Sequence, residues 1–290
     1  MDAWTVMAAG LALVPLLGMG LWQNGMRRFV RQLPPLARLL FPAVFVLPYL
    51  LVTLPRHCFH IWWFLLYTEL PVAVGLLLAL AAHLDPEQKG HWLDATVLLS
   101  LGLAADLRWF EAAWPPRLVA MNKLLLLDAG LYGFHLVRCL HGTGLDLRWR
   151  LSDWKTGIRE FCFYAPMAIL MGLAIGFLHL HRQPERPWLL PLACIYTYLL
   201  IALPEEIFFR GWIQNLLERR TGRTTALMLT AALFGLSHFN KRAAHFNWRY
   251  VLLAALAGVF YGRAWRARRR IPASAITHAL VDAVWGAFLQ

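Results

Sequence analysis

The stretch PWLLPLACIYTYLLIALPEEIFFRGW, residues 187–212, combines two patterns that rarely occur together. Residues 187–204 carry no charge, which is typical of a membrane-spanning helix. Glu205, Glu206 and Arg210 then follow inside the same apolar run. A single charge at the centre of a spanning helix costs roughly 2.5–3.5 kcal/mol. The stretch therefore predicts a membrane helix whose charges are compensated by specific partners.

The composition of the whole chain supports a membrane protein. It has 290 residues, of which 59% are hydrophobic and only 15% are charged, and its mean hydropathy is +0.52. Soluble proteins usually carry about 25% charged residues. Because backbone polar groups inside a bilayer must be paired within the chain, helices are the expected spanning elements. We predict an all-α, polytopic transmembrane helical bundle.

Ten apolar segments are candidate spans. Several are shorter than the roughly 20 residues that a 30 Å hydrocarbon core requires, so we expect about eight to ten true spans. The segments are about 4–22, 41–54, 61–84, 92–107, 118–137, 161–181, 188–209, 224–239, 250–263 and 273–289.

The longest polar interval, residues 138–160, divides the spans into two groups of five. We therefore predict an N-terminal transmembrane region over residues 1–150, with no assigned function, and a second transmembrane domain over residues 151–290, which contains the charged stretch. The net charge of +12 comes mostly from basic residues in short loops. That distribution is typical of topology signals rather than of nucleic-acid binding, so no nucleic-acid partner is expected.

Helical spacing accounts for the charges of the opening stretch. Glu206 and Arg210 are four residues apart, so they share a helix face and are expected to form an ion pair. Glu205 is rotated by about 100° from that face. One carboxylate is then neutralised by its partner, and the other is placed for proton transfer as a general base.

Two further polar groups interrupt apolar segments in the C-terminal half. Glu205 and His238 each lie about 16.5 residues from a turn predicted near Thr221 and Gly222. At 1.5 Å per residue, both are about 25 Å from that turn, hence at equal depth. Phe234, four residues before His238, is expected to wall the site and contact substrate.

His278 and Asp282 are also four residues apart and share a helix face. Ionisable groups inside a membrane are functional candidates by default. Two histidines and several carboxylates could bind zinc, but the sequence contains no HExxH motif and these residues lie on separate helices. We favour a site without metal or other cofactor, with zinc as the alternative.

Three motifs follow one another in order, each on a predicted span. They are EExxxR, FxxxH and HxxxD, formed by Glu205, Glu206 and Arg210, by Phe234 and His238, and by His278 and Asp282. Over roughly residues 160–290 the chain thereby resembles the CAAX protease and bacteriocin-processing family (CPBP, or Abi), a family of intramembrane endopeptidases.

The resemblance implies peptide-bond cleavage at or within the membrane by glutamate-activated water. It implies that Glu205 is the general base, that Arg210 orients the glutamate pair and that His238 helps to hold the water. His278 and the residue four positions later would stabilise the oxyanion. Many members of the family have Asn at that later position. Asp282 would have to be protonated there, or would instead orient His278.

Two other classes of function compete with a protease. One is a catalytically silent regulatory or immunity protein that binds a partner in the membrane. The other is a proton-coupled transporter, although the chain has no internal repeat of the kind that transporters often show. For the protease, the expected partners are a membrane-associated peptide or protein substrate and the lipid bilayer. The composition, rich in Leu, Ala and Arg, favours a GC-rich bacterial genome and hence the bacterial cytoplasmic membrane.

Overall fold

A computed structural model describes residues 2–179, 188, 190–241 and 245–288. All regular secondary structure in these residues is helical, which confirms the prediction of an all-α helical bundle. The chain divides into two compact units, Met1–His141 and Gly142–Gln290. The candidate site residues all belong to the second unit.

The first unit contains six α-helices. A π-helical segment, Tyr132–Val137, extends the last of them, and 3₁₀ turns connect several others. Arg138, just after this segment, forms ion pairs with Asp85 (2.6 Å) and Asp94 (3.0 Å), which ties together the loop after the fourth helix and the start of the fifth. The helices are α1 (Ala3–Gln32), α2 (Pro35–Leu40), α3 (Leu47–Thr53), α4 (Ile61–Leu84), α5 (Trp92–Asp106) and α6 (Ala120–Leu131).

The second unit is built around one long, continuous helix, Leu190–Thr221, which we call the glutamate helix. Within it, two π-helical segments, Tyr198–Ala202 and Ile207–Gln214, alternate with shorter α-helical pieces. π-Helical segments are rare and are frequent at functional sites. The α-helices of this unit are α7 (Leu151–Ala174), α8 (Leu190–Thr197), α9 (Leu203–Glu206), α10 (Asn215–Thr221), α11 (Arg223–Leu236), α12 (Trp248–Arg268) and α13 (Ile271–Phe288).

The turn between the glutamate helix and α11 lies at Gly222, as predicted. Its φ angle of 81° is in the region that favours glycine. Helix α11 then packs closely on α12. A Cβ added at Gly258 would lie 2.9 Å from the Ala231 backbone, and one added at Gly235 would lie 2.5 Å from the Val251 carbonyl oxygen. These glycines therefore allow the close helix approach that positions the site.

Within the described residues, six helical segments are long and apolar enough to cross a membrane, which confirms a multi-pass membrane protein. They are Ala3–Gln32, Pro35–Thr53, Ile61–Leu84, Leu151–Ala174, Leu190–Thr221 and Ile271–Phe288.

Four of the ten predicted spans, 92–107, 118–137, 224–239 and 250–263, are not among these six. Helix α5 has only 15 residues, and α11 has only 14. At 1.5 Å per residue, both are well short of a 30 Å core. Helix α12 is long enough but carries four arginines. Residues 180, 181, 189 and 289 of the predicted spans lie outside the described residues.

Candidate active site

The predicted ion pair between Glu206 and Arg210 is confirmed. Arg210 Nη1 lies 3.1 Å from Glu206 Oε1, and both side chains are fully buried. Arg210 Nη2 also donates to the Gly258 carbonyl oxygen at 3.0 Å. The guanidinium lies 4.8 Å from the ring centroid of Phe234 and 5.3 Å from that of Tyr261. Hydrogen bonds and cation–π contacts thus compensate the cost of burying this charge.

Glu206 is the centre of a hydrogen-bond network. Its Oε1 lies 2.9 Å from His278 Nδ1 in addition to Arg210, and its Oε2 accepts a hydrogen bond from the Ser274 hydroxyl. A carboxylate beside a guanidinium is an acceptor, so Nδ1 of His278 carries the donated proton. Glu206 therefore fixes the orientation of His278.

The other ring nitrogen of His278 is directed at two more carboxylates. His278 Nε2 lies 3.5 Å from Asp282 Oδ2 and 3.9 Å from Glu205 Oε2. The Glu205 side chain is 21% exposed and that of Asp282 is 32% exposed, in contrast to the fully buried Glu206. Glu205 and Asp282 thus form the accessible part of the site, and the buried His278 lies beside them.

His238 follows α11 rather than lying within it, because that helix ends at Leu236 and not at residue 239 as predicted. Its buried ring places Nδ1 2.9 Å from the Phe234 carbonyl oxygen and 3.1 Å from the Ser237 hydroxyl oxygen. These contacts hold the ring in a turn at the end of the short helix.

Phe234 lies between the two histidines. Its ring centroid is 4.9 Å from that of His238 and 5.7 Å from that of His278, with an edge-on arrangement to His278. All seven residues that the motifs single out are therefore connected through short contacts within one region of the second unit.

Sequence reasoning missed two residues of this region, Ser274 and Tyr261. Ser274 donates to Glu206 and lies one helical turn before His278, a spacing that could have identified it. The Tyr261 ring stacks on His278 with a centroid distance of 4.5 Å and an interplanar angle of 16°. Nothing in the spacing of α12 residues predicts that stack, since it arises from the packing of α12 against α13.

Metal binding was the other open question at this site. In residues 2–179, 188, 190–241 and 245–288, no group of three or more His, Cys, Asp or Glu side chains is arranged to hold a metal ion. Glu206, one of the carboxylates that could serve as a ligand, already bonds to His278 and to Arg210. A cation bound by Glu206 would have to displace these contacts.

Comparison with known proteins adds an independent line of evidence. Residues 186–284 match the family model described as "Type II CAAX prenyl endopeptidase Rce1-like". No curated protein and no solved structure matches the chain. The matched region contains every residue of the three motifs and both residues that sequence reasoning missed. Over residues 186–284, about a third of the chain, this match agrees with the resemblance to the CAAX protease and bacteriocin-processing family that the motifs indicate.

Proposed function

We propose that this protein is an intramembrane endopeptidase that cleaves a membrane-associated peptide or protein, with Glu205 as the general base. One observation carries the proposal. An accessible carboxylate, Glu205, faces the imidazole nitrogen of His278 at 3.9 Å, while the adjacent Glu206 is engaged by internal donors. The family match over residues 186–284 supports an endopeptidase of this class.

The proposed reaction is the addition of water to a peptide carbonyl. Glu205 removes a proton from the water as its oxygen bonds to the carbonyl carbon. His278, protonated at both nitrogens, donates from Nδ1 to Glu206 and from Nε2 to the developing oxyanion. The C–N bond then breaks, and Glu205 returns its proton to the departing amine. His238, next to the shared Phe234 ring, helps to hold the water.

We propose that Asp282 stabilises the positive charge of His278 and does not orient the His278 ring. Glu206 already binds Nδ1 of His278, so a second carboxylate is not needed to orient the ring. An ionised Asp282 cannot donate to an oxyanion, but 3.5 Å from Nε2 it stabilises the positive charge of His278. Phe234 is proposed to form part of the wall that the substrate contacts.

We also propose that catalysis needs no metal ion. Arg210 already supplies a positive charge at the glutamate pair. Its contacts with Glu206 and with the Gly258 carbonyl oxygen hold it there, so the Glu206 carboxylate is already paired with a cation. Prolonged treatment with a strong chelator should therefore leave the cleavage rate within about twofold. A loss of activity that zinc restores would establish the metal alternative.

The proposed substrate is a peptide held at the membrane. The description of the matched family names a CAAX prenyl endopeptidase. For this chain we propose the broader class, a membrane-associated peptide or protein, and a location in the bacterial cytoplasmic membrane.

The experiment is a comparison of protein termini in membranes from cells that carry wild type, Glu205→Gln or Glu69→Gln. Glu69 is an exposed residue of α4 and provides a matched control for the same chemical change. We expect at least one precursor to lose its cleaved terminus only in Glu205→Gln. Identical termini in all three strains, with Glu205→Gln rescuing the phenotype of a deletion, would favour a binding or regulatory role instead.

A further inference from the structure

Helices α7 and α12 present a pair of exposed arginines around one buried carboxylate. Arg159 Nη2 lies 2.7 Å from Glu160 Oε1, and Arg263 Nε lies 3.0 Å from Glu160 Oε2. The Glu160 side chain is 1% exposed, whereas Arg159 is 54% and Arg263 is 48% exposed. Two guanidinium groups are thus held side by side, with one negative charge between them.

The pair retains capacity for another anion. Glu160 Oε2 accepts no well-directed hydrogen bond, so its contact with Arg263 is an ion pair only. Within the described part of the chain, Arg263 makes no other polar contact, and its guanidinium lies 5.2 Å from the Phe260 ring. Arg159 donates from Nε and Nη2 to Glu160 Oε1. The remaining N–H groups of the two arginines are available at the surface.

The surrounding surface is strongly positive. Residues 142–160, 215–223 and 263–270 together carry twelve Lys or Arg and four Asp or Glu, a net charge of +8. All four acids are engaged: Glu160 as above, Asp146 and Asp153 by Arg270, and Glu218 by Arg266 and Arg269. Because all four acids are already paired with arginines, the net positive charge of these three segments comes from their remaining arginine and lysine side chains.

Apolar side chains extend from the arginine pair along both helices. On α7, the exposed Phe163, Met167 and Leu170 follow Arg159 at four, eight and eleven residues, hence on one face. On α12, the exposed Leu252 lies eleven residues before Arg263. Eleven residues of helix span about 16 Å, which is close to half of a 30 Å hydrocarbon core. The apolar face is therefore about as long as the acyl layer of one leaflet.

We propose that the Arg159–Arg263 pair binds the phosphate headgroup of an anionic glycerophospholipid, whose acyl chains lie along the exposed apolar face of α7 and α12. Guanidinium groups bind phosphate oxygens in a bidentate manner. Basic groups between helices at the membrane surface are a known setting for anionic headgroups. The net positive charge favours an anionic lipid over a zwitterionic one.

The test is a lipid titration of the purified full-length protein, followed by native mass spectrometry. The probes are phosphatidylglycerol and phosphatidylcholine, each measured with wild type and with three variants. The triple variant Arg159→Gln, Glu160→Gln, Arg263→Gln removes both cations and the carboxylate together, so no buried charge is left unpaired. Arg263→Gln alone keeps the Glu160–Arg159 pair. Arg249→Gln changes an exposed arginine at the opposite end of the same helix.

We expect wild type to bind phosphatidylglycerol about tenfold or more tightly than phosphatidylcholine. Each arginine near a charged surface contributes about fivefold in affinity. Arg263→Gln should therefore lose about fivefold for phosphatidylglycerol, and the triple variant more, while Arg249→Gln retains wild-type affinity.

Equal affinity of wild type for the two lipids would overturn the proposal. An unchanged phosphatidylglycerol affinity in Arg263→Gln would overturn it as well, whether or not the triple variant folds. Binding is measured without any peptide substrate, so this result is independent of whether the protein is a protease.

Discussion

Glu205 and Glu206 are adjacent in the chain but have different surroundings. Glu206 is fully buried and bonds to Arg210, Ser274 and His278. A carboxylate offers about four acceptor positions. On Glu206, three of these positions are taken by the donors Arg210, Ser274 and His278. Glu205, at 21% exposure, lies 3.9 Å from Nε2, the other ring nitrogen of His278. The difference in burial explains why two neighbouring carboxylates can have different roles.

Arg210 is expected to be essential for folding. Arg210→Ala removes the guanidinium that pairs with the buried Glu206, and leaving a buried charge without its partner costs about 3–5 kcal/mol. Thermal unfolding of the purified protein in detergent should show this loss. Arg249→Ala, at an exposed position, is the control. A loss below about 1 kcal/mol for Arg210→Ala would show that the burial of Glu206 does not depend on Arg210.

The contacts of His278 predict which carboxylate orients it. Glu206 accepts from Nδ1 at 2.9 Å, whereas Asp282 lies 3.5 Å from Nε2. Removing the carboxylate that orients a catalytic imidazole lowers the rate on the order of 10²–10⁴-fold. We therefore expect Glu206→Gln to lose at least about 10² in cleavage rate, and Asp282→Asn less than about tenfold.

The measurement is the cleavage rate of the precursor identified by terminus comparison, at matched amounts of folded protein. If Asp282→Asn lowered the cleavage rate more than Glu206→Gln does, Asp282 rather than Glu206 would be the carboxylate that orients His278.

At the level of elements, the close approach of α11 and α12 sets the position of Arg210. A Cβ added at Gly258 would meet the Ala231 backbone of α11. The carbonyl oxygen of Gly258 accepts a hydrogen bond from Arg210. Gly258→Ala would press a methyl group on the α11 backbone, and overpacking of this kind costs about 1–3 kcal/mol. We expect lower thermal stability and a lower cleavage rate together.

Gly286→Ala is the matched control for that change. It lies in α13, where an added Cβ meets nothing within 4 Å. Its stability should equal or slightly exceed that of wild type. Wild-type stability of Gly258→Ala would show that the two helices can separate without cost, contrary to the packing described above.

Two ion pairs of Arg270, the residue before α13, connect that helix to the loop before α7 and to the first turn of α7. Arg270 lies 2.6 Å from Asp146 and 2.8 Å from Asp153. Burial by itself would raise the pKa of the Asp146 carboxyl, but the Arg148 backbone N–H and the Arg270 guanidinium outweigh burial and hold that pKa below its ordinary value. The carboxylate thus stabilises the folded state at neutral pH, and this contribution disappears as the pH falls through the lowered pKa.

Asp146→Asn is expected to remove that pH dependence. Its melting temperature should fall below that of wild type at pH 7, and the difference should shrink at an acidic pH below the lowered pKa, where wild type is also protonated. Thermal unfolding at the two pH values gives the comparison. An equal difference at both would show that Asp146 acts through packing or neutral hydrogen bonds rather than through its charge.

At the level of the whole molecule, much of the fold and of the site follows from the sequence. Low charge and long apolar runs predict a membrane helical bundle, because a helix satisfies its own backbone hydrogen bonds inside a bilayer. The four-residue spacing of Glu206 and Arg210 predicts their ion pair, since that contact lies within one helix. The turn at Gly222 was also predictable from its flanking helices.

Contacts between helices were harder to predict. The stack of Tyr261 on His278 and the bond from Ser274 to Glu206 depend on how α12 and α13 pack against the glutamate helix. Helix lengths were also overestimated where hydropathy continued past the helix end, as at Leu236. Hydropathy reports the surroundings of a segment, whereas a helix end depends on local hydrogen bonds.

The most direct test of the central claim is the cleavage rate of purified wild type and Glu205→Gln in liposomes, with the precursor found by terminus comparison as substrate. Gln has nearly the same shape as Glu but cannot accept the proton of water, and general-base catalysis contributes about 10²–10⁴-fold. The account predicts a loss of at least about 10²-fold with unchanged thermal stability. A rate within about threefold of wild type would contradict Glu205 as the base.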